Sequence, residues 1–337
     1  MKEYTHFFGV DISKKTVDVA LFKPTELIHR QFRNDSEGMD ELMKWLEELS
    51  LDFSKVLFCM ESTGLYCFSL TQFLASHSID TWIEHAAQIK KANALNRGKN
   101  DKVDSVRIAM YAAKNLDRLH LWKPMNNTLE KIKHLAGLRE RLVETKKRLV
   151  TPIQEFEEVG NIAMAKLLTK TIKASLSAID KDLKNVEAKI ADIVNEDENL
   201  KELYRVITSV VGIGFVTAVN LMVHTHGFTV LKDVRKLACY CGVAPFEYSS
   251  GSSIRGKTRV HYMANKKLKC NLHMASLSAV KLDGDLRTYY ERKVAEGKNK
   301  MSVLNAVKNK LLARVIACVN NNREYVNNTV NLGLVMP

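Results

Sequence analysis

Four carboxylates stand where chemistry can use them. Asp11 ends the apolar run that holds Phe7, Phe8 and Val10, and Glu61 ends the equally apolar run 56–60, just ahead of Ser62, Thr63 and Gly64. Asp101 and Asp104 lie three residues apart at the start of a helix-like stretch, which puts both on one helical face. Acids at the ends of neighbouring strands, joined by a pair on a nearby helix, make the donor set of a two-metal Mg²⁺ site. Hard oxygen ligands there hold ions about 3.5–4 Å apart, which stabilise the attacking and leaving oxygens of phosphoryl transfer. Carboxylates brought together raise one another's proton affinity unless a cation shares the site. Each acid also has a plainer reading by itself. Asp101 and Asp104 suit the first turn of a helix through its dipole, Glu61 would cap a loop, and Asp11 would form a turn with Ser13.

The surrounding elements favour the joint reading. HFFGVDIS, TVDVALF and LIHRQFRN are short runs rich in β-branched and aromatic residues, close enough to form a meander. SEGMDELMKWLEELS opens with a Ser cap and spaces Met39, Leu42, Met43 and Leu46 as a helix does. KVLFCMEST reads as a buried strand, LYCFSLTQFLASH as a helix and DTWIEHA as another strand. A further helix starts near Asp101 and carries Val103, Val106, Ile108 and Tyr111. Three meandering strands followed by helix-separated strands predict an α/β domain of RNase H-like order over residues 1–124, its mixed sheet flanked by helices.

After Pro124 the pattern changes to long helices. Leu135, Leu138, Leu142, Leu149, Ile153 and Phe156 mostly keep three- and four-residue steps, interrupted near Pro152. Ile172, Leu176, Ile179, Leu183, Val186, Ile190 and Ile193 step by alternating fours and threes, a coiled-coil seam with charged flanks. A hairpin within the chain and pairing between chains both satisfy that seam. Residues 125–200 are therefore a helical spacer, and 201–325 a mainly α C-terminal domain with a frayed tail at 326–337. In that domain VITSVVGIGFVTAVNLMV sets Gly212 and Gly214 between two apolar helices, as in a helix-hairpin-helix. Backbone N–H groups at such a turn can hold a phosphate, although a tight turn without a ligand has the same sequence. A Gly/Ser-rich loop, YSSGSSIRGKTR, follows Pro245, and amphipathic helices run over 263–280 and 301–320.

Charge separates the two ends of the chain. Lys and Arg number 51 against 38 Asp and Glu, a net +13, and the whole excess lies in residues 201–337, where 21 basic residues face 8 acidic ones. No acid occurs between Tyr248 and Leu282, while Arg255, Lys257, Arg259, Lys266, Lys267, Lys269 and Lys281 do. Such a stretch suits a polyanion, most simply nucleic-acid phosphates; a solvated basic face is the plainer alternative. Hydrophobic residues at 46% and only 20 Gly plus Pro describe a globular chain rather than a collagen-like or linker-dominated one. The uncharged stretch 206–223 is too polar and Gly-interrupted for a membrane span. The N-terminus has no signal-peptide pattern, and the six cysteines form no framework, which points to a reducing, cytoplasmic setting. Cys239 and Cys241 lack a second pair to complete a zinc set and read as buried, and His224 and His226 lack a third ligand. No Walker A motif is present, and the Gly212 region does not fit a dinucleotide fingerprint.

GVDISKKTVDVALF, MESTGLY and RGKNDKVDSVRIAMYA resemble the DEDD RuvC-like domain of IS110-family transposases. Downstream, VVGIGFVTA, LACYCGVAPFEYSSGS and the basic stretch after it resemble that family's C-terminal transposase domain, so the likeness spans roughly residues 5–320. The resemblance implies that Asp11, Glu61, Asp101 and Asp104 are the four catalytic, Mg²⁺-binding acids. It also implies that the serine which becomes covalently joined to DNA falls in Ser249-Ser250-Gly251. Ser250, directly before the glycine, is the match, with Ser249, Ser252 and Ser253 close by. HYMANKKLKCNLHMAS departs from the family pattern by carrying Asn265 where a glycine is expected. Family membership further implies donor and target DNA, a structured guide RNA encoded by the mobile element, and a homo-oligomer in which the acids of one protomer work with the serine of another. A site-specific invertase of the pilin-inversion type, reading DNA directly, and a RuvC-like junction nuclease are the alternative functions.

Overall fold

The computed structural model describes residues 2–23, 27–92, 100–250, 254–282 and 284–326. The chain divides into two compact units, Met1–Pro124 and Met125–Pro337.

The first unit is built on a five-stranded mixed sheet in the order β3-β2-β1-β4-β5, formed by β1 (His6–Ile12), β2 (Thr16–Phe22), β3 (Leu27–Arg33), β4 (Val56–Glu61) and β5 (Asp80–Glu84). The first three strands run antiparallel to one another as the expected meander, and β1, β4 and β5 run parallel. Helices α1 (Ser36–Glu48) and α2 (Phe68–Ser76) cover one face, burying Phe8, Val10, Val19, Phe58 and Met60 against Leu42, Trp45, Leu46, Leu70 and Leu74. α3 (Ala86–Ala92) and α4 (Asp101–Lys114) follow β5, and the other face packs Leu57, Cys59 and Trp82 against Ile108, Tyr111 and Ala112 of α4. Strand alternation sorts the two sets: successive side chains point to opposite faces.

Two local expectations are corrected. The cap of α1 is Asp35, not Ser36, because the Asp35 carboxylate accepts the Gly38 N–H at 3.0 Å from one residue further upstream. The buried stripe of α4 is Ser105, Ile108, Ala109, Tyr111 and Ala112, while Val103 and Val106 are only half-buried. Small residues face the sheet because the helix lies against a strand glycine.

The second unit is helical apart from one hairpin. α5 (Asn127–Glu158) and α6 (Ile162–Glu196) form an antiparallel pair, so the heptad seam meets a partner within the chain. Val186, Ile190 and Ile193 are buried there, whereas Ile172, Leu176, Ile179 and Leu183 are half-buried. α5 runs through Pro152 without a break: the proline removes one backbone N–H, and Ile153 beside it stays buried. α7 (Glu198–Thr208), α8 (Phe215–His224), α9 (Val234–Tyr240), α10 (Lys266–Lys281), α11 (Asp285–Ala295) and α12 (Lys300–Asn321) share one hydrophobic core with the base of the α5–α6 pair, through Leu129, Ile132, Val186 and Ile190. The serine-rich stretch expected as a loop is instead an antiparallel hairpin, β6 (Phe246–Ser250) and β7 (Ile254–Arg259). Residues 251–253, and 327–337 of the expected frayed tail, lie outside the described residues. Among the described residues, no helix is long and apolar enough to cross a membrane.

Candidate active site

Asp11 and Glu61 directly follow Val10 and Met60, which pair in the parallel β1–β4 register, so the two acids sit side by side at the same end of the sheet. Both belong to the face that α4 covers, since Cys59, two residues before Glu61, lies in that cluster. α4 is brought there by Gly9. A Cβ at that position would stand 2.0 Å from the Ser105 carbonyl oxygen and 2.1 Å from the Ala109 nitrogen. Helix and strand backbones thus touch, which sets the first turn of α4 beside the strand ends. That turn carries Asp101 and Asp104, and is capped by Asn100, whose Oδ1 accepts the Val103 N–H at 2.7 Å.

The electrostatics match this gathering. Burial pushes the Asp11 carboxyl up to about 6, and the negative charges of Asp101, Asp104, Glu61 and Asp18 push in the same direction. Among the described residues the carboxylates of Asp11, Glu61 and Asp101 accept no hydrogen bond, and that of Asp104 is partly neutralised by Arg107 at 3.0 Å. Asp101, Asp104 and Glu61 therefore lie within electrostatic reach of Asp11. All are hard oxygen donors, the type Mg²⁺ prefers. They gather without closing: no three Asp, Glu, His or Cys side chains among the described residues are grouped tightly enough to hold a metal ion as they stand.

Two further acids, which sequence reasoning missed, complete a row across four strands. Asp18 pairs with Asp11 in the β1–β2 register and is 3% exposed; it meets the His29 Nε2 at 2.9 Å and accepts from the Gln31 Nε2 at 2.9 Å. Glu84 pairs with Glu61 in the β4–β5 register and accepts from the Tyr111 hydroxyl at 3.1 Å and the His85 N–H at 2.7 Å. These outer carboxylates have their own donors, which separates them from the inner pair. The available signal was positional: Glu84 ends the DTWIE run as Glu61 ends its own.

In the second unit Ser250 is the last residue of β6, paired with Ile254, and Ser249 pairs with Arg255. Only the backbone is described for Ser249, Ser250, Arg255 and Lys257, and Ser252 and Ser253 lie outside the described residues. Arg259 and Lys266 are exposed and Lys269 is half-buried, whereas Lys267 is paired with Glu140 at 2.6 Å. Gly212 has φ +93°, and a Cβ there would meet the Ala275 carbonyl oxygen at 2.6 Å, so close packing on α10 alone requires glycine. Gly214 caps α8 with open space around it. Cys241 is buried and Cys239 half-buried. His224 joins a polar knot: its Nδ1 lies 3.3 Å from both the Tyr240 hydroxyl and the Asn265 Nδ2. Burial, with Lys267 and Lys133 nearby, pushes its imidazole down to about 4. Asn265 also donates its backbone N–H to the Tyr240 carbonyl at 2.7 Å and caps α10, which closes the neck of the segment bearing the hairpin.

Residues 8–156 match the IS110 DEDD family model, described as a transposase, and residues 204–291 match a model described as transposase IS116/IS110/IS902 family. The chain is 26% identical over 322 residues to the pilin gene-inverting protein of Moraxella bovis, covering 95% of this chain and 97% of that protein. The pilin gene-inverting protein of Moraxella lacunata gives the same identity and coverage. Over 138 residues the chain is 30% identical to the insertion element IS110 uncharacterized 43.6 kDa protein of Streptomyces coelicolor, covering 41% of this chain and 33% of that protein.

Proposed function

The chain belongs to the IS110 family of transposases and is a DNA-recombining enzyme, and from that premise we propose that it exchanges DNA strands through a covalent serine–DNA intermediate at an RNase H-like acidic centre. The reading rests chiefly on one observation: a half-buried Asp11 lies near the carboxylates of Asp101, Asp104 and Glu61, and burial first, then their negative charge, raises its proton affinity. The family implies a divalent metal. Asp11, Glu61, Asp101 and Asp104 would hold Mg²⁺ in a two-ion site. Bound there, the metal would lower the pKa of an attacking hydroxyl and offset charge on the phosphate.

Ser250 is the proposed nucleophile. A serine hydroxyl is weak at neutral pH and requires activation, which the acidic centre would supply. The Oγ–P bond forms as a bridging P–O bond of the DNA strand breaks, and the serine proton passes to the departing sugar oxygen. The same step in reverse, with a second strand end, rejoins the DNA and restores the serine. Arg255, Lys257, Arg259, Lys266, Lys267 and Lys269 would contact phosphates, and the turn at Gly212 and Gly214 would offer backbone N–H groups to another. The working assembly comprises donor and target DNA, a structured guide RNA and further copies of the chain.

Ser250→Ala is expected to abolish strand exchange and the covalent protein–DNA adduct while nucleic-acid binding persists. An adduct that survives in this variant would move the nucleophile to a neighbouring serine or remove the covalent mechanism. A junction nuclease requires the acids but not the serine, so undiminished cleavage by Ser250→Ala favours that alternative. The near full-length likeness to pilin gene-inverting proteins favours a second reading, inversion of a DNA segment, to which we join direct recognition of DNA as the alternative to a guide. Sequencing the RNA that co-purifies when the protein is expressed with its native flanking DNA separates the two. One discrete RNA from a flank supports guided recombination; random fragments alone support direct reading.

A further inference from the structure

Lys308 and Asp18 are the two buried charged side chains among the described residues, and they are treated differently. Asp18 has His29 and Gln31 as partners. Lys308, 5% exposed in the middle of α12, makes no hydrogen bond or ion pair among the described residues. A buried amine without an acceptor is costly, and an apolar side chain of its length would pack there more favourably. Its charged surroundings are of the same sign. α12 packs on α10, and Lys269 of α10 lowers the proton affinity of Lys308, as does burial. Burial and Lys308 likewise lower that of His273, also on α10. The His273 Nδ1 is itself buried without a partner.

The cluster has a defined place. One turn before Lys308, the Asn305 Nδ2 donates to the Val243 carbonyl at 2.8 Å, and the Lys269 stem lies against Gly242. Gly242 and Val243 lead into β6, which starts at Phe246. Lys308 and Lys269 therefore stand at the foot of the hairpin that carries Ser249 and Ser250.

We propose that Lys308, with Lys269 and His273, seats one phosphodiester group of the nucleic acid that the hairpin engages. The seat rests on the reading of this domain as a nucleic-acid binder. Lys donates to phosphate as a point charge on a flexible stem, and a phosphodiester supplies the acceptor that the fold leaves out. Neither DNA nor RNA is singled out, since both present the same group.

Lys308→Met keeps the length of the side chain and removes the amine. We expect the variant to melt no lower than the wild type without ligand. The slope of log affinity against log salt is expected to fall by about one on a DNA duplex, on an RNA hairpin, or on both. The arm that changes names the source of the phosphodiester. A lower melting temperature would overturn the proposal, because the amine would then serve the fold. Unchanged slopes on both arms, with steep salt dependence in the wild type, would also overturn it. Absence of salt-dependent binding in the wild type itself would instead remove the nucleic-acid reading on which the seat depends.

Discussion

At the scale of single residues, Asp11 makes the sharpest statement. Its folded-state proton affinity is raised, from the ordinary 3.8 to about 6, first by burial and then by its acidic neighbours. A carboxyl shifted upward contributes stability below pH about 4 and loses it as pH rises through about 6. Without divalent cations the wild type should therefore lose about 2 kcal/mol across that window, a figure already discounted for partial exposure. Asp11→Asn carries no charge and should escape the loss, while also losing metal-dependent cleavage. Melting both proteins at pH 5 and pH 7.5, with and without Mg²⁺, checks the prediction. Equal pH responses in the two proteins would remove the crowded-carboxylate argument, and undiminished cleavage by Asp11→Asn would remove the metal assignment. The sequence made these acids candidates because Asp11 and Glu61 close apolar runs and Asp101 and Asp104 lie in the first turn of a helix. Asp18, in the middle of TVDVALF, looks like any polar residue of an alternating strand, and only its register opposite Asp11 brings it into the row.

At the scale of elements, the site depends on how closely α4 approaches β1. Gly9 permits backbone contact, and Ser105, Ala109 and Ala112 present a small-residue stripe to it. Gly9→Ala would drive a methyl group into the Ser105 carbonyl, so α4 must lift and carry Asp101 and Asp104 away from Asp11. A loss of about 3 kcal/mol in stability is expected, with cleavage lost even where the fold survives. Thermal or urea unfolding tests it, and a variant within about 1 kcal/mol of the wild type contradicts the packing. The periodic signal of the strands carried through directly. The stripe of α4 carried through in part: Ile108 and Tyr111 are buried as expected, whereas Val103 and Val106 give way to the small residues Ser105, Ala109 and Ala112. The α5–α6 pair followed the same logic in reverse: its heptad seam was plain, and only its partner was open.

At the scale of the molecule, the first 200 residues are neutral and the remainder carries the whole positive excess. Acids gather in Met1–Pro124, and the serine-bearing hairpin belongs to Met125–Pro337. If the acids of one copy serve the serine of another, two dead variants should rescue each other. A mixture of Asp11→Asn and Ser250→Ala proteins is expected to recover strand exchange, with the DNA adduct carried on the Asp11→Asn chain. Mass spectrometry of the adduct identifies the chain. Failure of the mixture to recover activity, with both variants folded and oligomeric, argues that the acids and serine act within one copy.

The sequence by itself determined the strand and helix order of the first 124 residues, the charge asymmetry and the likeness to the IS110 family, and it offered the four acids as candidates, because hydrophobic period and local residue type carry those. Tertiary structure alone decided which carboxylates already have donors, that α5 and α6 pair within the chain, and that the serine-rich stretch is a hairpin with its neck tied by His224, Tyr240 and Asn265. It also decided that Lys308, one basic residue among many in the sequence, is the one buried without a partner among the described residues. The physical reason is the same in each case: a hydrogen bond, a register and a buried charge are relations between residues far apart in the chain, and period and composition describe only neighbours.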